Sequence, residues 1–263
     1  MKVAVVSAEP TLGKTTLCEI LGGVFSRSQG RDVCILTTGN AVDNIEIVTK
    51  YTRSALLDSP HIFKAMITSA GEDKRELYDY GTQAGEEKVF IFDIMSSSMS
   101  QPEKEDMFIE TMNILPCPLT LIEISGDYKS EFNQKVMSLC DCALVLIDQS
   151  KKGIREYRNL YSNLPGMLKL NHAVILAMYN NSIASDKKFQ ELTKIPMNAT
   201  YKFPYLPVLK KQSFNEELDK VPYEIVHANS EVVELRTHIQ ELMSYIFDSP
   251  QRKVIRGIDR WYK

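Results

Sequence analysis

The sequence lacks the features that mark several large classes of protein. It has no run of about 18 apolar residues, the length that a membrane-spanning helix requires. A strand-like apolar run follows almost directly after Met1, so we expect no signal peptide. A net charge of −3 over 263 residues gives no overall field that favours nucleic acid. The sequence therefore predicts a globular cytoplasmic protein, and it does not indicate nucleic acid as a partner.

Metal-site and nucleophile signatures are absent as well. The five cysteines show no paired C-x-x-C spacing, and the four histidines are scattered without the spacing of metal ligands. Cys18 and Cys34 fall in apolar stretches where small buried thiols are common, so we expect free thiols in a reducing compartment. No Ser-His-Asp or Cys-His arrangement is recognisable.

Short apolar runs rich in Val and Ile alternate with helical patterns along the chain. The runs of strand length are Val3–Val6, Val33–Leu36, Val89–Phe92, Leu119–Ile124, Ala143–Ile147 and Ala173–Met178. Most are continuous rather than alternating, as in strands that are covered on both faces. We therefore predict an α/β fold with a doubly wound, mostly parallel sheet flanked by helices. This domain is expected over residues 1–248, followed by a C-terminal tail over 249–263.

One decapeptide carries most of the chemistry. Ser7–Thr16 reads S-A-E-P-T-L-G-K-T-T and lies between an apolar strand and an apolar helix. This is the context of a phosphate-binding loop, in which Lys14 supplies a movable charge and the Thr15 hydroxyl can bind Mg²⁺. The first glycine of G-x-x-x-x-G-K-[ST] is replaced by Ala8. The alternative is a turn that needs glycine for its geometry alone. The residues predicted to bind nucleotide phosphate are Gly13, Lys14, Thr15 and Thr16.

With these residues in place, the sequence resembles the MinD/ParA group of P-loop ATPases. These ATPases have a deviant Walker A loop and pair face to face over ATP. The resemblance implies ATP or ADP and Mg²⁺ as cofactors and a homodimer over ATP. The family's extra lysine, which reaches across the dimer, falls on Glu9. Thr37 and Gly39 stand where the family has two aspartates that position Mg²⁺ and the attacking water, and Asp43 is a candidate replacement. The resemblance therefore implies weak or absent hydrolysis.

Asp93 follows the apolar run Val89–Phe92 and resembles the aspartate through which the family holds Mg²⁺. A carboxylate at that strand end is expected to face the loop, which predicts Thr15 and Asp93 as the metal-binding residues. The alternative is a helix N-cap for the following segment. Ile94–Ser97 replaces the Pro and Gly that follow in the family.

Two residues resemble the family's adenine contacts. Asn180 follows a strand-like run, and its amide offers both a donor and an acceptor to an adenine edge. The alternative is an asparagine that only shapes a turn. Pro207 lies in a segment similar to the family's adenine-flanking proline loop.

The last residues combine apolar and basic side chains at helical spacing. Five basic residues stand against the single acidic Asp259 between Arg252 and Lys263. A short, basic, amphipathic helix can lie on an anionic membrane surface, contact a partner, or pack on its own domain. The apolar residues of this segment are Val254, Ile255, Ile258, Trp261 and Tyr262.

Three functions fit the sequence. The first is an ATP-binding switch that localises itself or recruits a partner and hydrolyses ATP weakly or not at all. The second is a degenerate scaffold, related to pilus assembly of the TadZ/CpaE type or to conjugation. The third is an enzyme of the dethiobiotin-synthetase or nitrogenase-reductase branch, although Cys117 alone does not supply the reductase's cluster ligands. The sequence favours the first, in the cytoplasm or peripherally at the inner face of the membrane, and it identifies no protein partner.

Overall fold

The structure is a computed structural model that describes residues 1–7, 9, 12–39, 55–69, 74–85, 87–163, 171–180, 186–193, 200–204, 206–215, 217–227, 230 and 232–248. The described strands are β1 Lys2–Ser7, β2 Val33–Thr37, β3 Thr82–Gln83, β4 Val89–Phe92, β5 Leu119–Glu123, β6 Cys142–Ile147, β7 Asn171–Tyr179 and β8 Thr200–Pro204. The described helices are α1 Lys14–Gln29, α2 Ala55–Asp58, α3 Pro60–Thr68, α4 Gln101–Ile114, α5 Glu131–Ser138, α6 Lys151–Asn163, α7 Asp186–Thr193, α8 Pro207–Phe214, α9 Val221–Val226 and α10 Val233–Asp248. Two further segments, Lys74–Tyr80 and Leu218–Lys220, are 3₁₀-helical.

The strands form one sheet in the order β3-β4-β2-β5-β1-β6-β7-β8. All neighbours pair in parallel except β3 and β4, which are antiparallel. This confirms the predicted doubly wound α/β fold. Because parallel strands point the same way, the loops after β5, β1, β6, β7 and β8 all leave from one edge of the sheet. Ligands of such sheets bind outside the carboxyl ends of the strands.

Helices cover both faces of the sheet. Val3 and Val5 of β1 pack into a cluster that includes residues of α1 and α10, and Ala4 and Val6 pack into a cluster that includes residues of α4 and α5. All four side chains have no exposed surface. The continuous apolar runs in the sequence therefore have the expected cause, since both faces of the strands are buried.

One cysteine prediction is wrong. Cys34 in β2 is not a free thiol, because it forms a disulfide with Cys117, which lies two residues before β5. Cys18 is free and buried in α1, as expected. The separation of the pair by 83 residues gave no spacing pattern in the sequence. The sheet brings them together because β2 and β5 are neighbours.

Within the described residues, no helix is both long and apolar enough to cross a membrane. α10 ends at Asp248. The predicted tail over 249–263 and the candidate Asp43 lie outside the described residues. The division of the chain at 248 therefore stays a prediction.

Candidate functional site

The residue directly before α1 is a glycine with a left-handed backbone. Gly13 lies directly before α1 with φ 82° and ψ 31°, in the left-handed region that glycine adopts without strain. Because glycine has no side chain to cap α1, the backbone N–H groups of the first turn can bind an anion. Thr16 lies in the same turn and is partly exposed. The structure thus brings together the four residues predicted to bind phosphate.

The ammonium of Lys14 turns back toward the end of β1. Its Nζ donates a hydrogen bond to Ser7 Oγ at 2.9 Å, and Ser7 Oγ donates to the backbone oxygen of Glu9 at 2.5 Å. The lysine that the sequence assigns to phosphate binding therefore lies at the mouth of the loop. Its role stays a prediction.

A buried carboxylate lies beside the loop, on a strand that the sequence analysis did not single out. Glu123 ends β5 in register with Val5 of β1, and Thr15 Oγ1 donates to its Oε2 at 2.9 Å and its Oε1 at 3.1 Å. Glu123 is only 4% exposed. Burial raises the pKa of Glu123, and the Thr15 hydroxyl and the Lys14 ammonium oppose that rise. A hydroxyl and a carboxylate in contact are hard oxygen donors of the kind that Mg²⁺ prefers.

Asp93, which the sequence assigned to Mg²⁺, lies elsewhere. It follows β4, and both β2 and β5 stand between β4 and β1. Three strand spacings place β4 about 14 Å from β1 in the sheet. Asp93 is fully buried, and its Oδ1 accepts a hydrogen bond from the backbone N–H of Ser96 at 3.2 Å. The expectation that Asp93 faces the loop is therefore wrong. The helix N-cap alternative is not met either, because α4 begins at Gln101 and its N-cap is Ser100.

The sequence did contain a signal for Glu123. The run Leu119–Ile124 was read as one apolar strand, whereas β5 ends at Glu123. Read as a strand end, Glu123 is followed three residues later by Gly126, which has φ 70°. An acidic residue at the end of an apolar strand, with a glycine close behind, is the pattern that the resemblance implies for the metal-binding strand end. Only the strand pairing shows that β5 is the neighbour of β1.

Hydroxyl groups join the loop after β2 to the loop after β5. The backbone N–H of Ser125 donates to Thr38 Oγ1 at 3.0 Å, and the hydroxyls of Thr37 and Ser125 are 3.3 Å apart. Gly39 packs so closely on Ser125 that an added Cβ would lie 2.5 Å from the Ser125 Cβ. The described part of this junction thus holds hydroxyls and backbone groups, and Thr37 and Gly39 are the positions at which the sequence resemblance implied aspartates. A hydroxyl is a poor base at neutral pH, so these groups are unsuited to activating water.

The predicted base contacts lie at the same edge of the sheet, beyond β6. Asn180 follows β7, is exposed, and donates its backbone N–H to Gln149 Oε1 at 2.7 Å. Pro207 is exposed at the start of α8, three residues after the end of β8. Because β7 and β8 are parallel neighbours, the structure brings both residues to one side of the loop. Their contact with a base stays a prediction.

No protein-family model matches the sequence, and no curated protein matches it. Several solved structures are similar to this one. A ParA family ATPase from Chlorobium tepidum TLS superposes with a TM-score of 0.69 at 13% identity, over 90% of this chain and 96% of that one. MinD of the MinC:MinD cell division complex from Aquifex aeolicus gives 0.66 at 14% identity, over 97% and 99%. MinD from Pyrococcus horikoshii OT3, complexed with Mg-ADP, gives 0.61 at 13%, over 93% and 95%.

The likenesses span nearly the whole of both chains. At 13–14% identity they show the fold and assign no residue a role. The chain therefore has the fold of the MinD/ParA-type P-loop ATPases.

Proposed function

We propose that this protein is an ATP-binding switch that localises itself or recruits a partner according to its nucleotide, with weak or absent hydrolysis. The observation that carries the proposal is the contact of Thr15 with Glu123 beside Lys14, at the open start of α1. A cation, a hydroxyl, a carboxylate and a helix N-terminus meet at this point. Together they suit a polyphosphate and the metal ion that accompanies it. The Mg-ADP bound by Pyrococcus horikoshii MinD supports the same ligand class.

The donors present fit Mg²⁺. Thr15 and Glu123 would hold the ion, either directly or through water, and it would neutralise charge on the phosphates. The loop N–H groups and Lys14 would bind the phosphate oxygens. Asn180 and Pro207 would contact the base from the neighbouring strand ends.

Purification and mass measurement together test the proposal. We expect ATP or ADP in the protein as purified, or its uptake from solution, and a homodimer in the presence of ATP and Mg²⁺. A protein that carries no nucleotide, takes up none, and has the same mass with and without ATP–Mg²⁺ would contradict the switch.

The alternative is a scaffold of the pilus-assembly (TadZ/CpaE) or conjugation type that works without nucleotide. One observation favours it: the hydroxyl of Thr37 contacts that of Ser125 at 3.3 Å, at a position where the resemblance implies an aspartate. Partner binding that is unchanged by ATP and by removal of the Lys14 ammonium would favour the scaffold.

Glu123, and not Asp93, should carry the dependence of ATP binding on Mg²⁺. We expect Glu123→Gln to reduce the gain in ATP affinity that Mg²⁺ provides by about tenfold, equivalent to about 1.4 kcal/mol. Asp93→Asn is the matched control, since it neutralises a buried carboxylate at another strand end and should leave that gain unchanged. Titration of ATP with and without Mg²⁺ measures both. If only Asp93→Asn reduced the gain in ATP affinity from Mg²⁺, the metal would be bound at the end of β4 instead.

Hydrolysis should be slow because hydroxyls stand at Thr37 and Ser125 and a carboxylate at Glu9. We expect a turnover far below the typical enzyme value of about 10 s⁻¹. Glu9→Lys alone should not produce fast turnover, because the water-positioning aspartates are still missing. Phosphate release by the wild type and this variant provides the measurement. A wild-type turnover of several per second would show that another residue, such as Asp43, orients the water.

The tail should determine where the protein is found, peripherally on an anionic membrane surface. Its few apolar side chains contribute about 1.5–3 kcal/mol each when fully buried, and each basic residue adds about 1 kcal/mol near anionic lipid. Removing Gln251–Lys263 should abolish co-sedimentation with anionic vesicles and leave ATP binding intact. If the truncated protein melted several degrees lower, the tail would be part of the packed core and not a membrane-binding segment. A full-length protein that ignores vesicles would favour a protein partner.

A further inference from the structure

The start of α6 lies next to the phosphate-binding loop. β6 pairs with β1 on the side away from β5, with Leu146 opposite Ser7, and α6 begins at Lys151 a few residues later. The turn between them is fixed, because Asp148 Oδ1 accepts hydrogen bonds from both the N–H and the hydroxyl of Ser150, at 2.9 and 2.6 Å. The first turn of α6 is therefore held at one flank of the loop, as Glu123 is held at the other.

Lys152, in that first turn, contacts the loop directly. Its Nζ lies 3.1 Å from Glu9 Oε1. The Glu9 side chain is 18% exposed and that of Lys152 is 65% exposed, so the carboxylate is largely covered while the ammonium stays accessible to solvent. The backbone oxygen of Glu9 in turn accepts from Ser7, which accepts from Lys14. Glu9 is thus linked to Lys14 through Ser7 at its backbone oxygen and is ion-paired with Lys152 at its carboxylate.

This pairing changes the electrostatics of the loop. A lone carboxylate at Glu9 would repel a polyphosphate, whereas its ion pair with Lys152 has no net charge. A lysine ammonium has three donors on a flexible stem, so it can keep one contact with Glu9 and direct another to a phosphate oxygen. The loop then has a second cation near the phosphates without any contribution from another chain.

We propose that Lys152 is a phosphate-contacting residue, supplied by the same chain and held at the loop by Glu9. This inference rests on the proposed ATP binding and deepens it. Glu9 and Lys152 together supply a cation to the loop from within one chain. ATP binding by a single chain then needs no partner cation.

Calorimetric titration of the full-length protein with ATP–Mg²⁺ and with AMP tests the inference. Lys152→Glu leaves two carboxylates at the loop, so ATP should bind at least about tenfold more weakly while AMP binding changes less than about twofold. Lys151→Glu is the matched control, with the same charge change one residue away on the same exposed turn, and ATP affinity should stay within about threefold. The double variant Glu9→Lys with Lys152→Glu restores the pair with its charges exchanged and should recover ATP affinity to within about threefold.

Equal losses in Lys152→Glu and Lys151→Glu, or unchanged ATP affinity in Lys152→Glu, would overturn the inference. So would a loss of AMP binding as large as that of ATP, or no recovery in the double variant. Should ATP affinity stay unchanged while the melting temperature without nucleotide falls in Lys152→Glu and recovers in the double variant, the pair is purely structural. Lys14→Ala distinguishes a failure of this inference from a failure of the proposed ATP binding. If Lys14→Ala abolishes ATP binding and Lys152→Glu does not, only the role of Lys152 is wrong. If the wild type binds no ATP, both fail.

Discussion

Replacing Lys14 by alanine is expected to weaken ATP binding at least about tenfold, a loss of about 1.4 kcal/mol or more. The Lys14 ammonium lies 2.9 Å from Ser7 Oγ at the mouth of the loop, where it can move to a phosphate. The Lys14 ammonium also opposes the rise that burial causes in the pKa of Glu123. Its removal therefore leaves the charge of that carboxylate with less positive charge nearby. Titration of wild type and Lys14→Ala with ATP–Mg²⁺ measures the effect.

Lys135→Ala is the control for that experiment. Lys135 is exposed on α5, far along the chain from the loop, and its loss should leave ATP affinity unchanged. Thermal unfolding without nucleotide checks that Lys14→Ala still folds. If the wild type and a folded Lys14→Ala protein bound ATP with equal affinity, the assignment of the phosphate site to this loop would be wrong.

Local patterns predicted much of this fold. Val3–Val6 and Val33–Leu36 were recognised as strands because both faces of the sheet are buried, which makes the runs continuous. The phosphate loop was recognisable for a similar reason: Gly13, Lys14 and Thr15 are adjacent in sequence, so their geometry depends on a single turn.

The carboxylate beside the loop could not be placed from local patterns, because its position depends on strand order. Val89–Phe92 followed by Asp93 fits the local pattern of a metal-binding strand end better than β5 does. Yet β5 inserts between β1 and β2, and so Glu123 reaches Thr15. The Cys34–Cys117 disulfide was missed for the same reason, since it joins neighbouring strands that are far apart in the chain.

A buried carboxylate in α1 has no evident part in the site. Glu19 lies one turn beyond Thr15 and is only 6% exposed. Neither of its carboxylate oxygens has a hydrogen-bond partner among the described residues. Burial raises the pKa of Glu19 well above its usual value, and the carboxylates of Glu123 and Asp219 add to the rise. An uncompensated buried carboxylate of this kind costs stability.

We therefore expect Glu19→Met to stabilise the protein by about 1–3 kcal/mol at neutral pH, because an apolar side chain of similar length removes the desolvation cost. The pKa of Glu19 is higher in the folded than in the unfolded chain, so the wild type loses stability as pH rises from about 4.5 through the folded pKa. The advantage of Glu19→Met should accordingly be small near pH 4.5 and grow toward neutral pH. Melting temperatures across that range measure it, with Glu110→Met at an exposed position of α4 as the control that should stay within about 0.5 kcal/mol. A melting temperature that falls in Glu19→Met at neutral pH would show that this carboxylate binds a group in the folded protein and is not an isolated buried charge.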